Sequence, residues 1–354
     1  MSNQFIKKFS GILLRWNAKN NRRKMPWKGE KDPYKIWLSE IILQQTRVEQ
    51  GWSYYNKFVS NFPDIHQLAR ATEKRIYKLW EGLGYYTRCK NLIETAKYIS
   101  KERAGTFPDT YEDILMLKGV GQYTAAAISS FAYNLPKAVV DGNVFRVLSR
   151  VFGLSIPIDS SEGKKYFSKL ANDLLDKKKP GIYNQAIMDF GAVICKPVNP
   201  LCTDCVFNKH CIAFSKNKIS TLPVKQKKLK IQTRWFYYLL IEYKGRVYIS
   251  KRIKNDIWKN LYEFVLIETS IKSDEKNILK QAIKDGILIK GSFKVQSVST
   301  ICFQQLSHQK IYGQFIRIVS TTKISLPKLL SVSKSQLTQY AFPRFINSYL
   351  KGLY

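Results

Sequence analysis

Two different spacings of apolar residues follow each other along the chain. In the first part, segments such as KIWLSEIIL carry apolar residues at helical intervals, which predicts amphipathic helices. In the last part, the run WFYYLLIEY, a Lys244-Gly245 turn and the run RVYISKR predict a β-hairpin. SFKVQSVSTICF and IYGQFIRIVS predict further strands. The pattern therefore predicts a helical domain and then a domain rich in strands.

The two patterns are separated by a basic segment with few large apolar residues. We place the helical domain at residues 1–215, a surface linker at 216–234 and the strand-containing domain at 235–354. The start of the chain lacks the long apolar run of a signal peptide, and no window is apolar enough to span a membrane. We therefore expect an intracellular protein in which thiols stay reduced.

The charge balance favours a polyanionic partner. The chain has 59 Lys and Arg against 26 Asp and Glu, a formal net charge of +33. Such an excess attracts nucleic acid, although an AT-rich genome also enriches lysine. The charge alone therefore does not establish nucleic-acid binding, which also requires a recognisable binding site.

Four cysteines lie close together after the last predicted helix of the first domain. The segment VICKPVNPLCTDCVFNKHC spaces them as C-x6-C-x2-C-x5-C, at Cys195, Cys202, Cys205 and Cys211. Four thiolates in one short loop can hold a [4Fe-4S] cluster. The alternative is a structural zinc site, which more often shows two separate C-x2-C pairs. The remaining two, Cys89 and Cys302, are isolated.

A second motif predicts contact with an anion. LKGVGQYTAAAI is typical of a helix end, a tight turn with Gly119 and Gly121, and the start of another helix. The free N–H groups at that start suit a DNA phosphate. An ordinary helix–helix turn has the same appearance.

Two acidic residues have complementary predicted environments. Asp141 precedes the helix GNVFRVLSR, so its ionised form should be favoured by N–H bonds and the helix dipole. Glu40 lies between Trp37 and Leu43 on a helical wheel, so desolvation should raise its pKa. An acid and an anion are the two groups needed to break a glycosidic bond. An N-cap and a solvent-facing rim residue are the alternatives.

Taken together, these motifs resemble the MutY family of A/8-oxoguanine adenine DNA glycosylases, within the helix-hairpin-helix superfamily that includes endonuclease III. The resemblance rests on RKMPW, WLSEIILQQTRV, LWEGLGYYTR, LKGVGQYTAAAI, VVDGNVFRVLSR, YNQAIMDFGAVIC and the cysteine frame, between residues 23 and 211. It implies an all-α helix-hairpin-helix domain, with the hairpin at about 111–132 and an iron-sulfur loop at 195–211. The C-terminal domain is more loosely similar to MutT-like (Nudix-fold) α+β domains, chiefly through QLSHQK at 305–310.

The resemblance also implies a role for particular residues. Glu40 would protonate the departing adenine and Asp141 would stabilise the sugar cation, with Tyr123 and Asn143 beside them. The adenine pocket would include Arg23, Trp27 and Gln185. The residues implied for contact with DNA or the lesion are Gln45, Tyr85, Gly119, Gly121, Ser307 and His308. The four cysteines would hold a [4Fe-4S] cluster.

Three positions bear on the reaction, and the last two of them depart from the family pattern. Tyr123 stands where bifunctional relatives carry a lysine nucleophile, and a phenol cannot form a Schiff base, so we expect a monofunctional enzyme. Lys118 replaces the usual proline of the turn, where it could supply an adventitious amine, although we expect it to contact a phosphate. Leu306 replaces an aromatic residue beside Ser307 and His308.

The C-terminal domain lacks the residues for hydrolysing nucleotides. MutT-like pyrophosphatases hold magnesium with a clustered run of acidic residues, and Glu263, Glu268, Asp274 and Glu275 are not clustered in that way. We therefore expect this domain to bind its ligand without hydrolysing it. The resemblance implies that this ligand is 8-oxoguanine, which the family reads with a Phe-Ser-His motif where this chain has Leu306-Ser307-His308. A solvent-facing histidine at a strand end is the alternative reading of His308.

The resemblance thus implies a base-excision-repair enzyme that removes adenine paired with 8-oxoguanine or guanine in double-stranded DNA. We expect a cytoplasmic monomer without membrane association, at the nucleoid if bacterial. The rival functions are an endonuclease III-like lesion glycosylase with lyase activity and a non-catalytic mismatch-binding protein. The pair Glu40 and Asp141 opposes the second rival, and Tyr123 opposes the first.

Overall fold

The computed structural model describes residues 3–226 and 231–352, and it confirms the predicted fold class of a helical domain followed by an α+β domain. Residues 227–230 of the predicted linker and the residues at the two termini lie outside the described part. Contacts divide the chain into one unit of residues 1–70 and 91–228 and another of residues 71–90 and 229–354. No helix of the described residues is both long and apolar enough to cross a membrane.

The helices up to residue 215 follow the apolar periodicity of the sequence. They are α1 Asn3–Asn20, α2 Pro33–Leu43, α3 Val48–Asn61, α4 Ile65–Arg70, α5 Glu73–Trp80, α6 Tyr86–Glu102, α7 Tyr111–Met116, α8 Gln122–Tyr133, α9 Gly142–Phe152, α10 Ser161–Leu174, α11 Pro180–Val193 and α12 Ile212–Ser215. A short 3-10 turn covers Asn208–His210.

The core of the first unit lies between α1, α8, α9 and α11. Phe9, Leu13, Val147, Leu148 and Phe190 are fully buried in it. Helix α2 packs on α8, and α11 packs on both α8 and α9. These contacts bring the beginning of α8 and α9, the middle of α2 and one face of α11 into one region.

The described part of the predicted linker is packed against the first unit. Leu222 is 3% exposed and lies with Cys211 and Ala213 in a small apolar cluster. The backbone N–H of Ile158 donates to the carbonyl of Val224 at 3.0 Å. The linker is therefore anchored around Leu222 and Val224, whereas most of residues 216–226, including Lys216, Lys218 and Lys225, are exposed as predicted.

The second unit is built on a mixed sheet. Its elements are β1 Gln232–Tyr243, β2 Arg246–Lys251, β3 Tyr262–Glu263, β4 Val265–Thr269, α13 Glu275–Lys284, β5 Phe293–Val298, β6 Cys302–Gln305, β7 Gln309–Ser320, β8 Leu329–Ser333 and α14 Arg344–Lys351. The main order is β3-β2-β1-β7-β5, with β4 on β1, β6 on β7 and β8 on β2. Strands β1 and β7 run parallel, with Gln232 opposite Gln309.

The period of two along β1 assigns its side chains to two different cores. Tyr237, Leu239 and Ile241 face α13, whereas Tyr238 stacks on Phe315 of β7 with ring centroids 5.4 Å apart. Phe315 in turn stacks on Tyr349 of α14 at 3.9 Å. The sheet is thus covered on both faces.

Residues 71–90 belong to the second unit through specific hydrogen bonds. The hydroxyl of Tyr77 accepts from Asn260 at 2.8 Å, and a Glu81 carboxylate oxygen accepts from the backbone N–H of Phe342 at 2.8 Å. Lys78 donates to the carbonyl of Tyr340 at 3.0 Å. Helix α5 is therefore a component of this unit although it lies between helices of the other in sequence.

Candidate active site

Asp141 is the N-cap of α9, as the sequence predicts. One carboxylate oxygen accepts from the backbone N–H of Val144 at 2.8 Å, and the other accepts from the side-chain amide of Asn143 at 2.7 Å. The predicted direction of its pKa is wrong. Burial raises the pKa of Asp141 above its ordinary value, and this effect outweighs the hydrogen bonds, which act in the opposite direction.

Glu40 lies on the buried side of α2 and is 5% exposed. Burial raises its pKa to about 7, and the charge of Asp141 acts in the same direction. A side-chain hydrogen bond with Tyr123, near the start of α8, lowers it in part. The raised pKa agrees with the prediction from Trp37 and Leu43, and it leaves a large protonated fraction at neutral pH.

The side chain of Asn143 is fixed by a buried arginine, Arg146, which the sequence analysis did not predict as a site residue. Arg146 donates to the side-chain oxygen of Asn143 at 2.8 Å and to the backbone carbonyls of Gly191 at 2.7 Å and Cys195 at 2.7 Å. The signal that could have identified it is the pair Arg146 and Arg150, one turn apart on the helix that Asp141 begins, both of which are buried. This arginine fixes the amide that contacts Asp141.

A cavity of about 240 Å³ opens beside Glu40. Trp27 and Gln185, predicted for the adenine pocket, line it together with Lys28 and Phe131. Arg23 is not among its lining residues, and it pairs instead with the buried Asp189 at 2.9 Å.

The hairpin between α7 and α8 contains the predicted tight turn. Gly119 has φ +78°, and a side chain there would place its Cβ 2.8 Å from that of Asn91. Gly121 is the extended N-cap of α8. Lys118, expected to meet a phosphate, forms an ion pair with Glu94 at 2.8 Å and is 64% exposed.

Two residues that the resemblance assigns to the DNA duplex have unusual backbones. Gln45 has φ +55° and Tyr85 has φ +48°, in the left-handed region that side chains other than glycine rarely adopt. Both side chains are exposed. Such conformations concentrate at functional sites, because the fold must hold them against their strain.

In the second unit, Tyr85 meets the segment predicted to read the lesion. Its hydroxyl is 2.5 Å from the hydroxyl of Ser307, and both residues line a cavity of about 520 Å³ with His308, Leu306 and Arg344. Ser307 and His308 are exposed. The structure thus brings Tyr85, Ser307 and His308 together.

The four cysteines line one small cavity between the end of α11 and α12. Arg150 lies behind them and donates to the carbonyls of Lys196 at 2.6 Å, Pro197 at 3.1 Å and Leu222 at 3.0 Å. It also reaches the sulfur of Cys195 at 3.6 Å. Among the described residues, no group of three or more His, Cys, Asp or Glu is arranged to hold a single metal ion.

Family models match both parts of the chain. Residues 38–173 match the HhH-GPD superfamily of base excision DNA repair proteins, and residues 236–352 match the NUDIX domain. The adenine DNA glycosylase of Buchnera aphidicola from Schizaphis graminum is 37% identical over 267 residues, which are 75% of this chain and 77% of that protein.

Solved structures share the helical fold. A thermostable thymine-DNA glycosylase is 32% identical, has a TM-score of 0.56, and matches 60% of this chain and 98% of its own. An endonuclease III in a non-covalent complex with DNA has a TM-score of 0.52 at 18% identity, over 61% of this chain and 98% of its own, which shows the fold alone. With the extensive match to the Buchnera enzyme, these findings show that the chain belongs to the adenine DNA glycosylase family.

Proposed function

We propose that this protein is a monofunctional DNA glycosylase that removes adenine paired with 8-oxoguanine, and less efficiently adenine paired with guanine. The observation that carries the proposal is the pairing of a buried Glu40, whose pKa is about 7, with the helix-capping Asp141. Glu40 is suited to donate a proton near neutral pH, and Asp141 can be an anion held by directed hydrogen bonds.

In the proposed reaction, the adenine leaves the stack and enters the cavity beside Glu40. Protonation of the base by Glu40 weakens the glycosidic bond, because the base then departs as a neutral molecule. The sugar develops positive charge, which the Asp141 carboxylate stabilises. Asn143 holds that carboxylate in place at 2.7 Å and would also orient the attacking water.

Tyr123 supports base removal without strand cleavage. Its phenol lies beside Glu40, and burial raises its pKa well above the ordinary value, so it stays protonated. A phenol forms no Schiff base with the sugar, which opposes the endonuclease III-like alternative.

We also propose that Cys195, Cys202, Cys205 and Cys211 hold a [4Fe-4S] cluster. Their side chains surround one cavity, and the four sulfurs are free of disulfides. A zinc ion needs its ligands within about 2.3 Å of one point. A cluster binds each thiolate through a different iron, which suits cysteines spread around a cavity. The cluster would fix the loop 195–211 and, through the carbonyl of Cys195, Arg146.

The recognition of 8-oxoguanine is proposed for the second unit. Ser307, His308 and the hydroxyl of Tyr85 supply hydrogen-bonding groups around one cavity. The substrate is double-stranded DNA, so we expect the protein to act where the chromosome lies. We expect a monomer, because one chain carries both acidic residues and the lesion-reading segment.

Single-turnover assays on duplexes with A:8-oxoguanine, A:G and thymine glycol test this function. We expect adenine release from the first two, with strand breaks only after alkali. Glu40→Gln and Asp141→Asn should each lower the rate by at least about a hundredfold while duplex affinity is retained.

Glu49→Gln, at an exposed acidic residue of α3, is the matched control and should keep the unaltered rate. Near-normal excision by either Glu40→Gln or Asp141→Asn would disprove the two-carboxylate assignment. Strand breaks without alkali, or release of thymine glycol, would favour the lyase alternative.

A further inference from the structure

Asp189 of α11 is an acidic side chain with no solvent exposure, and the proposed reaction does not use it. Four side-chain donors surround its carboxylate. One oxygen accepts from Arg23 at 2.9 Å and Gln185 at 3.0 Å, and the other accepts from Lys28 at 2.9 Å and Asn21 at 2.8 Å. A carboxylate in this position is costly to bury unless it is fully satisfied, and here it is.

The contact with Gln185 fixes which end of its amide faces the cavity. An ionised carboxylate only accepts hydrogen bonds, so the NH₂ group of Gln185 must face Asp189. The carbonyl oxygen of Gln185 then points away from that contact. Gln185 lines the cavity of about 240 Å³ beside Glu40, and within the described residues this oxygen has no hydrogen-bond donor. It is therefore an acceptor available to a base.

The Asp189 carboxylate also holds the segment between α1 and α2, which forms one wall of the cavity and contains no helix or strand. Residues 21–32 connect α1 to α2 without a helix or strand. Three of them, Asn21, Arg23 and Lys28, are tied to Asp189, and Lys28 also donates to the carbonyl of Arg23 at 2.9 Å. Trp27, within this segment, is packed on Tyr55 with ring centroids 5.4 Å apart.

The group at the 6-position of a purine gives this arrangement a consequence. Adenine carries a donor NH₂ at its 6-position, whereas guanine and hypoxanthine carry an acceptor oxygen there. A fixed carbonyl oxygen of Gln185 accepts a hydrogen bond from the NH₂ group of adenine and repels the 6-oxygen of guanine or hypoxanthine.

We propose that Asp189 is a positioning residue that sets the selectivity of the cavity for a 6-amino purine, by holding Gln185 with its carbonyl oxygen toward the base. The inference rests on the proposed function, because it takes the cavity to receive the excised base. It adds that the preference depends on a buried carboxylate that does not touch the base.

The experiment compares deoxyadenosine with deoxyinosine opposite the same 8-oxoguanine under single-turnover conditions. Asp189→Asn replaces an acceptor-only group by an amide that both donates and accepts, so Gln185 can present either end. We expect the adenine-to-hypoxanthine rate ratio to fall by at least about tenfold. Asp189→Glu keeps an acceptor-only group and should hold the ratio near that of the unaltered protein, although both rates decrease.

Asn184→Ser is the matched control for lost structure. Asn184 is equally buried on α11, but it bonds to the backbone of Val139 at 3.1 Å and to Ser130 at 2.9 Å, away from Gln185. It should lower both rates together and leave the ratio unchanged. A ratio that stays constant in Asp189→Asn, or falls equally in Asn184→Ser, would overturn the inference.

Gln185→Met provides a test that does not depend on the folding of an Asp189 variant. The half-buried Gln185 can be replaced by a side chain of similar length without a polar group, and the ratio should fall as in Asp189→Asn. An unchanged ratio in Gln185→Met would also reject the proposal. Failure of the unaltered protein to release adenine would instead reject the proposed function, so the two failures are distinct.

Discussion

At the residue scale, the acid Glu40 makes the reaction depend on pH in a defined direction. Only the protonated carboxyl can donate, and its pKa is about 7. We expect the single-turnover rate to fall as the pH rises through about 7. At low pH the rate should fall again as Asp141 becomes protonated, and its raised pKa moves this loss upward from the ordinary carboxylate range. A rate profile over pH measures both limbs.

Tyr123→Phe tests whether the decline of the rate at high pH reports the titration of Glu40. The hydrogen bond from Tyr123 lowers the pKa of Glu40, so its removal should shift the decline of the rate to higher pH. A decline that remains in Glu40→Gln, or does not move in Tyr123→Phe, would assign the titration to another group.

Asp141 shows what can be predicted about a single residue from the sequence. Its N-cap position and the resulting hydrogen bonds follow from the local segment DGNVFR. Its desolvation does not, because burial depends on packing between helices, which also brings Glu40 of α2 and Tyr123 of α8 close enough to interact with its charge. Asp189 was missed for a related reason. A lone acidic residue in an apolar helix has partners, such as Arg23, that only the folded chain reveals.

At the scale of elements, the hairpin of α7 and α8 depends on Gly119. Its φ of +78° costs about 1 to 2 kcal/mol for an L side chain, and the new methyl group would clash with Asn91. Gly119→Ala should therefore lower the melting temperature and weaken binding to duplex DNA. Thermal unfolding and a salt-dependent binding titration measure the two effects.

Gly121→Ala is the control within the same turn. Gly121 has an extended backbone, and an added Cβ would meet nothing within 4 Å. Gly121→Ala should therefore lower the melting temperature less than Gly119→Ala does. Equal losses in the two variants would show that the left-handed turn is not the cause.

The loop 195–211 gives a second prediction at this scale. Cys202→Ser should reduce bound iron from about four per chain, the stoichiometry of a [4Fe-4S] cluster, and give poorly soluble protein or protein that binds DNA weakly. Cys302→Ser, at a half-buried thiol of β6 outside the cysteine cavity, should keep the iron. Zinc in place of iron after anaerobic purification would contradict the cluster assignment.

Helices and hairpins were the most predictable level of the fold, since each depends on neighbours in sequence. The Lys244-Gly245 turn between β1 and β2 takes positive φ at both residues, as its composition suggests. The parallel pairing of β1 with β7 joins segments separated by more than sixty residues. No local pattern encodes such a partner.

At the scale of the whole molecule, the two units are proposed to divide the chemistry from the reading of the lesion. Ser307→Ala combined with His308→Ala should slow excision opposite 8-oxoguanine much more than opposite guanine. Lost hydrogen bonds to the damaged base cost roughly 1 to 3 kcal/mol each, so the preference should shrink by about tenfold or more. Paired single-turnover rates on the two duplexes measure it.

Ser331→Ala, at an exposed serine of β8 outside the cavity, should leave the preference unchanged. An equal loss on both duplexes in the Ser307 and His308 variant would mean that this segment contributes only general affinity for DNA.

Periodicity predicted two domains with a change near residue 215, whereas contacts extend the first unit to residue 228, and the membership of residues 71–90 in the second unit was not predicted. The segment EKRIYKLW of α5 has an ordinary helical pattern, and nothing in it distinguishes it from its helical neighbours. Its assignment to the second unit depends on Asn260, Tyr340 and Phe342, which come much later in the sequence.

This membership has a consequence for the order of events during synthesis. A ribosome adds about 5 to 20 residues per second, so α5 is made roughly ten to fifty seconds before Phe342, one of its partners. Until then the hydrogen-bond partners of Tyr77, Lys78 and Glu81 in the second unit are not all present. The last fixing contacts of α5 therefore form only after the C-terminal residues leave the ribosome.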